Sequence, residues 1–198
     1  MTATDETIGY YDGNARKFIA DTANVEFGTL QKAFAEMLPE GGRILDLGCG
    51  SGRDSLAFLK AGFAADAVDG SAEMAKAASE LTGMRVAHAT FADFEPKGAY
   101  DGIWACGSLL HVPAAELPAI VAKYAAMLKP GGCFYLSFKL GDHDGMRNGR
   151  WFTDLDEPAF RNLVANVPEL RIDRIDVTND VRPGRADEKW LNAWCVRV

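Results

Sequence analysis

The chain has 198 residues, 48% of them apolar, and a formal net charge of −7. That length holds one domain with a substantial core. The acidic balance argues against broad electrostatic binding to nucleic acid or anionic membrane, and no apolar run is long enough to span a bilayer.

The four cysteines, Cys49, Cys106, Cys133 and Cys195, form no C-x-x-C pair. This fits a reduced protein with buried thiols. Met1 to Glu6 is polar and acidic, without a signal-peptide pattern, so the cytoplasm is the expected compartment.

Residues 7–22 carry Tyr10-Tyr11-Asp12-Gly13-Asn14, then Ala15, Phe18 and Ile19 at helical spacing. Over 27–38, Phe27, Leu30, Phe34, Met37 and Leu38 share one helical face, and Pro39 with Gly41-Gly42 ends it. A first strand is expected at 43–47, a helix from Arg53 to Ala61, and a second strand over 64–68 ending in Asp69-Gly70-Ser71. Ser71 is a natural N-cap for a helix with Met74, Ala78 and Leu81 on one face. Met84–Ala89 and Tyr100–Ala105 read as the third and fourth strands. Pro113 opens a helix with Leu117, Ile120, Val121, Tyr124 and Leu128 in phase, closed by Lys129-Pro130-Gly131-Gly132.

The fifth strand is Cys133–Phe138, and a polar loop runs from Lys139 to about Asp156. A helix follows with Phe160, Leu163, Val164 and Val167 in phase. Leu170–Val177 is strand-like, but its apolar parity slips between Ile172 and Ile175, which predicts a bulge or bend. Trp190–Val198 closes the chain as a strand apolar on both faces.

Strands alternate with helices through most of the chain, which predicts an α/β fold with a parallel sheet covered on both sides. The last two strands have no helix between them, so they pair as an antiparallel hairpin. The whole reads as one domain, with 1–40 as a helical cap and 41–198 as the sheet core.

Between the first strand and its helix stand Gly48, Gly50 and Gly52, preceded by Asp46. Alternate glycines let the backbone approach a ligand and turn its N–H groups toward it. The spacing is G-x-G-x-G, whereas the dinucleotide fingerprint is G-x-G-x-x-G. A carboxylate at Asp46 repels a pyrophosphate but suits a ligand carrying an ammonium or sulfonium group.

Together these residues strongly resemble the class I S-adenosylmethionine-dependent methyltransferases, over roughly 10–198. The landmarks are the glycine turn, Asp69, Asp93-Phe94, Tyr100–Val112, the Leu128–Gly132 turn and the antiparallel ending. The resemblance implies a Rossmann-like, doubly wound, mostly parallel seven-stranded sheet of order 3-2-1-4-5-7-6, with strand 7 antiparallel. It implies S-adenosylmethionine as cofactor and a small molecule as acceptor, and Tyr10-Tyr11 is similar to the cap of small-molecule members. A protein or RNA methyltransferase and a non-catalytic cofactor-binding module are the alternatives. Neither nucleic acid nor membrane is an expected partner, and the chain is expected as a monomer or homodimer.

By the same resemblance Gly48, Cys49, Gly50 and Asp46 face the cofactor's amino-acid tail, and Asp69, with Gly70 and Ser71, takes the ribose hydroxyls. Asp93 and Phe94 hold adenine, with Met74 either packing on it or serving the core. Arg53 either meets the cofactor carboxylate or pairs on the surface. Cys106, Gly107 and His111 follow the fourth strand on the reactive edge. Methyl transfer from a sulfonium is an in-line displacement from an activated donor, so positioning and water exclusion supply much of the rate. No catalytic residue is demanded, and His111 and Tyr11 are the candidates, His111 as a proton acceptor or a structural residue. Arg150, Arg182, Arg185 and Trp151 stand in loops expected to cover the acceptor, where arginines suit a carboxylate or phosphate. No metal site is expected.

Overall fold

A computed structural model describes every residue except Met1, Ala23, Asn24, Glu26, Lys97, Pro183 and Ala186. Helices α1 (Ala3–Thr22) and α2 (Gly28–Ala35) precede the sheet. Then come β1 (Arg43–Leu47), α3 (Arg53–Lys60), β2 (Ala64–Asp69), α4 (Ala72–Thr82), β3 (Ala87–His88) and β4 (Tyr100–Ala105). They are followed by α5 (Leu117–Ala125), β5 (Leu128–Lys139), β6 (Asp144–Arg147), β7 (Arg150–Thr153), α6 (Glu157–Ala165), β8 (Leu170–Asn179) and β9 (Lys189–Arg197).

The main sheet runs β3-β2-β1-β4-β5-β9-β8. Counting only its own strands, this is the expected 3-2-1-4-5-7-6. β1 pairs in parallel with β2 and β4, and β4 with β5, whereas β9 is antiparallel to both β5 and β8. The parity slip in β8 is a register shift between Ile172 and Arg174, as the sequence predicts.

Three expectations need correction. The third strand contracts to two residues, because only Ala87 and His88 stand opposite the end of β2. Lys129–Gly132 is absorbed into β5 as an irregularity, since Tyr100 faces Leu128 while Gly102 already faces Cys133. The loop after the fifth strand contains a hairpin, β6 on β7, turned by Asn148 (φ 54°) and Gly149 (φ 77°). Two left-handed residues in a row make the tight turn whose twist matches that of the flanking strands.

One face of the sheet packs a large apolar core under α5 and α6, including Phe134, Leu136, Phe138 and Phe160. On the other face an aromatic cluster anchors α2. Trp104 of β4 stacks on Tyr135 of β5 with centroids 3.9 Å apart. Phe34 of α2 lies 5.1 Å from Trp104 and 5.6 Å from Phe58 of α3. Phe34 is fully buried, and Cβ on Gly102 would come within 2.6 Å of its ring. Phe34→Ala is therefore expected to cost about 3–5 kcal/mol, read as a lower denaturant midpoint with unchanged slope. A loss below about 1 kcal/mol would show that α2 packs elsewhere.

Candidate cofactor and acceptor site

At the carboxyl ends of β1, β2 and β4 lies a cavity of about 370 Å³. Open parallel sheets bind ligands at this edge. The glycine turn forms one wall, α1 the roof through Thr4, Thr7, Ile8, Tyr11 and Phe18, and Trp190 and Asn192 of β9 the far end.

Gly48, Gly50 and Gly52 all adopt positive φ, at 78°, 55° and 82°. Gly48 has a steric reason as well, since a Cβ there would stand 2.5 Å from the Ser108 Cβ. The β1–α3 turn thus lies tight against the segment after β4, and the Gly48 and Cys49 N–H groups both donate to the Val68 carbonyl oxygen.

Asp69 ends β2 and is the hinge of the site. Its Oδ2 accepts from the Gly50 N–H and its Oδ1 from the Ser71 N–H, both at 2.8 Å. An ionised carboxylate has about four acceptor positions, so two remain for a ligand. Burial raises its pKa despite the two N–H donors. Ser71 caps α4 by accepting from the Met74 N–H, and its hydroxyl donates to Asp12 of α1 at 2.6 Å. The roof helix is thereby tied to the loop after β2.

Asp46 is 2% exposed and lines the cavity. The Ser55 hydroxyl donates to it at 2.6 Å. Burial, and then the nearby Asp54 charge, push its pKa up to about 7. Asp54 itself is saturated by Arg53, Gln31 and the Trp104 indole N–H. Arg53 holds three partners at once, the Asp54 carboxylate, the Thr22 carbonyl oxygen at 3.3 Å and the Phe27 ring 4.0 Å from its guanidinium carbon.

Tyr11 meets His111 across the cavity, with Oη 2.8 Å from Nε2. The other ring nitrogen, Nδ1, lies 2.6 Å from the Trp151 carbonyl oxygen. A carbonyl only accepts, so Nδ1 carries the hydrogen and the Tyr11 hydroxyl donates to Nε2. Burial lowers the His111 pKa to about 4, keeping the ring neutral. Arg150 donates to Tyr11 Oη at 3.2 Å. Cys49 and Cys106 line the cavity, but burial raises both thiols, which removes them as nucleophiles.

The cavity thus gathers Tyr11, Asp46, Gly48, Cys49, Gly50, Arg53, Asp69, Gly70, Ser71, Met74, Cys106, Gly107, His111 and Arg182 from the sequence expectation. Asp93, Phe94, Arg150, Trp151 and Arg185 are not among its lining residues. Asp93 closes its own turn instead, accepting from the Thr90 hydroxyl at 2.7 Å while its N–H donates back to Thr90. Phe94 packs against the core, and Thr90 and Phe91 take the cavity wall. Trp151 serves through its backbone, because its indole N–H is taken by Asp144 and Thr153. Arg185 pairs with Glu188 at 3.4 Å. Arg182 is bound at both ends to Asp180, so it offers no free clamp for an anion. In the same stretch Pro183 lies outside the described residues.

Sequence reasoning leaves Trp190 open between an aromatic wall and core packing, and the structure puts it on the cavity wall. Its indole N–H donates to Asp180 at 3.0 Å, and Lys139 Nζ sits 5.1 Å from the ring centroid. It missed Asn192, Thr178 and Ser137 entirely, all on the cavity wall. For Ser137 and Asn192 the signal is one polar residue in an otherwise apolar strand, whereas Thr178 is hidden among the charged residues of β8.

Residues 44–132 match a family model described as a methyltransferase domain. A ubiquinone biosynthesis O-methyltransferase of Xanthomonas axonopodis pv. citri is 34% identical over 115 residues. That match covers 54% of this chain and 47% of the relative, so the chain spans about half the length of the curated relatives it matches. Two solved structures share the fold. The 1,6-didemethyltoxoflavin-N1-methyltransferase of Burkholderia thailandensis, solved with S-adenosylhomocysteine, has a TM-score of 0.75 at 21% identity, covering 96% of this chain and 85% of that one. The magnesium protoporphyrin IX methyltransferase of Synechocystis PCC 6803, solved with S-adenosylmethionine, has a TM-score of 0.73 at 19% identity, covering 100% of this chain and 98% of that one. The matched segment spans β1 to the irregularity opening β5, including the glycine turn, Asp69 and His111. Over residues 44–132, then, the chain is similar to a methyltransferase domain.

Proposed function

We propose that the chain is an S-adenosylmethionine-dependent methyltransferase acting on a small molecule. The observation that carries this reading is the pairing of two carboxylates, Asp46 and Asp69, on the wall of one cavity beside a glycine turn. Two acids suit a ligand that is cationic at one end and carries a diol in its middle, and they repel a pyrophosphate. The cofactor supplies a methyl carbon already activated by a sulfonium centre. Asp69 takes the ribose, the Gly48–Gly52 turn and Asp46 take the amino-acid tail, and Met74, Thr90 and Phe91 take the base. Residues 1–40 act as the cap, and the roof over the cavity supports a small acceptor over a macromolecular one.

Isothermal titration is expected to show one site for S-adenosylmethionine and for S-adenosylhomocysteine, and none for NAD. Binding of NAD with no binding of either sulfur ligand would overturn the reading.

A further inference from the structure

A chain of hydrogen bonds reaches the cavity wall at Tyr11 and His111. Its members are Arg150, Tyr11, His111 and the Trp151 carbonyl, linked at 3.2, 2.8 and 2.6 Å. The carbonyl fixes the imidazole with its bare nitrogen toward Tyr11. The tyrosine oxygen has one hydrogen to give and two acceptor positions. His111 takes the hydrogen and Arg150 fills one acceptor position, which leaves one for a ligand in the cavity that Tyr11 lines.

Arg150 has a second peculiarity. Its guanidinium is enclosed by Tyr10, Tyr11 and Phe152, at 4.5, 5.6 and 5.0 Å from the ring centroids. Its Nε is buried without a hydrogen-bond partner among the described residues. The cation's field falls on the Tyr11 oxygen and offsets part of the burial that raises the Tyr11 pKa.

We propose that Tyr11 is the proton acceptor of the reaction, relaying to His111, and that the acceptor substrate is an aryl hydroxyl seated against Trp190. This rests on the methyltransferase reading above. In the step, the aryl oxygen bonds to the methyl carbon while the carbon–sulfur bond breaks and its electron pair stays on sulfur. The hydroxyl proton passes to Tyr11 Oη as the proton of Tyr11 passes to His111 Nε2, and the imidazolium returns it to solvent after product release.

The choice of an aryl hydroxyl follows from the strength of the base and the shape of the wall. A buried neutral imidazole is a weak base, so it serves an acidic phenol and not an aliphatic alcohol. Trp190 is pinned at its edge by Asp180 and has an ammonium on its ring at 5.1 Å, which draws electron density out of the indole. Such a ring stacks best with an electron-rich one. Tyr11 is the catalytic residue in this scheme. His111 and Arg150 are positioning residues that act through it.

Two measurements test this. The chain has three histidines, so nitrogen resonances of the labelled imidazoles can be assigned. His111 is expected to show hydrogen on Nδ1 and a bare Nε2 whose resonance moves in Tyr11→Phe. Hydrogen on Nε2 instead reverses the relay and overturns it. The second measurement uses phenol, 4-cyanophenol, 4-nitrophenol and pentafluorophenol as acceptors, in order of rising acidity, after titration has shown that S-adenosylmethionine binds. The Tyr11→Phe to wild-type ratio of kcat cancels acceptor nucleophilicity. It is expected to fall about 100-fold for phenol and to stay within about threefold for pentafluorophenol, which arrives ionised. His111→Gln should reproduce that slope. Arg150→Met should reproduce it more weakly, with partial recovery in Arg150→Lys. A loss uniform across the series, or a parallel loss of S-adenosylhomocysteine affinity, assigns Tyr11 to packing and overturns the proposal. No turnover of any phenol by a protein that binds S-adenosylmethionine overturns the acceptor class while leaving the methyltransferase reading intact. If S-adenosylmethionine itself does not bind, both fall.

Discussion

Asp69→Ala is expected to weaken S-adenosylhomocysteine binding by more than about 100-fold. Two hydrogen bonds to a charged group, at roughly 1.5 kcal/mol each, supply about 3 kcal/mol, and tenfold in affinity is about 1.4 kcal/mol. The carboxylate also organises the protein around itself, since the Gly50 and Ser71 N–H groups both donate to it. Removing it leaves those donors to water and loosens the glycine turn and the start of α4 together. The two contributions separate with an analogue lacking both ribose hydroxyls. Wild type should bind the analogue far more weakly than S-adenosylhomocysteine, and Asp69→Ala should scarcely distinguish them, as in a double-mutant cycle. Equal discrimination in both proteins would move the ribose away from Asp69.

The sheet order was legible because strands and helices are set off by clear stops, Asp69-Gly70-Ser71 after the second strand and Lys129–Gly132 before the fifth, and because the last two strands lack a helix between them. The β6–β7 hairpin was not, although Asn148-Gly149 is a strong two-residue turn signal. Its strands are four residues long and polar on the outward side, with Asp144 and Arg147 at their ends, so no alternation marks them. Yet the hairpin supplies the Trp151 carbonyl that sets the His111 tautomer and the Trp151 N–H that donates to Thr7 of the cap. Asp93 shows a different limit. Its reading by resemblance gave it a ligand, but Thr90 three residues earlier forms a reciprocal box with it. A local hydrogen bond in a four-residue turn competes strongly with a contact made across a cavity. The charges of the lip were ambiguous for a related reason. Whether Arg182 is a clamp or half of an ion pair depends on Asp180, two residues away and bent back onto it by the turn.

Asp46→Asn is expected to raise the stability of the ligand-free protein at pH 8 while removing most of its affinity for S-adenosylmethionine. The sign follows from linkage. The folded protein holds the Asp46 proton up to about pH 7, against an ordinary value of 3.8. Between those values the native state binds more protons than the unfolded chain, so stability falls as pH rises through the window. The cost is fully present above it, where a buried carboxylate stands near Asp54. Asparagine removes that charge and keeps a carbonyl oxygen for the Ser55 hydroxyl. Its thermal midpoint should exceed that of wild type at pH 8, and the difference should shrink toward pH 4. The cofactor's ammonium sees the opposite balance, because it favours the ionised Asp46. Below pH 7 binding must expel a proton, so wild-type affinity should fall by up to about tenfold per pH unit there and level off above it. In Asp46→Asn the affinity should be low and flat across the same range. A wild-type affinity independent of pH between 5.5 and 8 would place the ammonium away from Asp46. Greater stability together with lost affinity would show that the glycine turn carries a strained acid for the sake of its ligand.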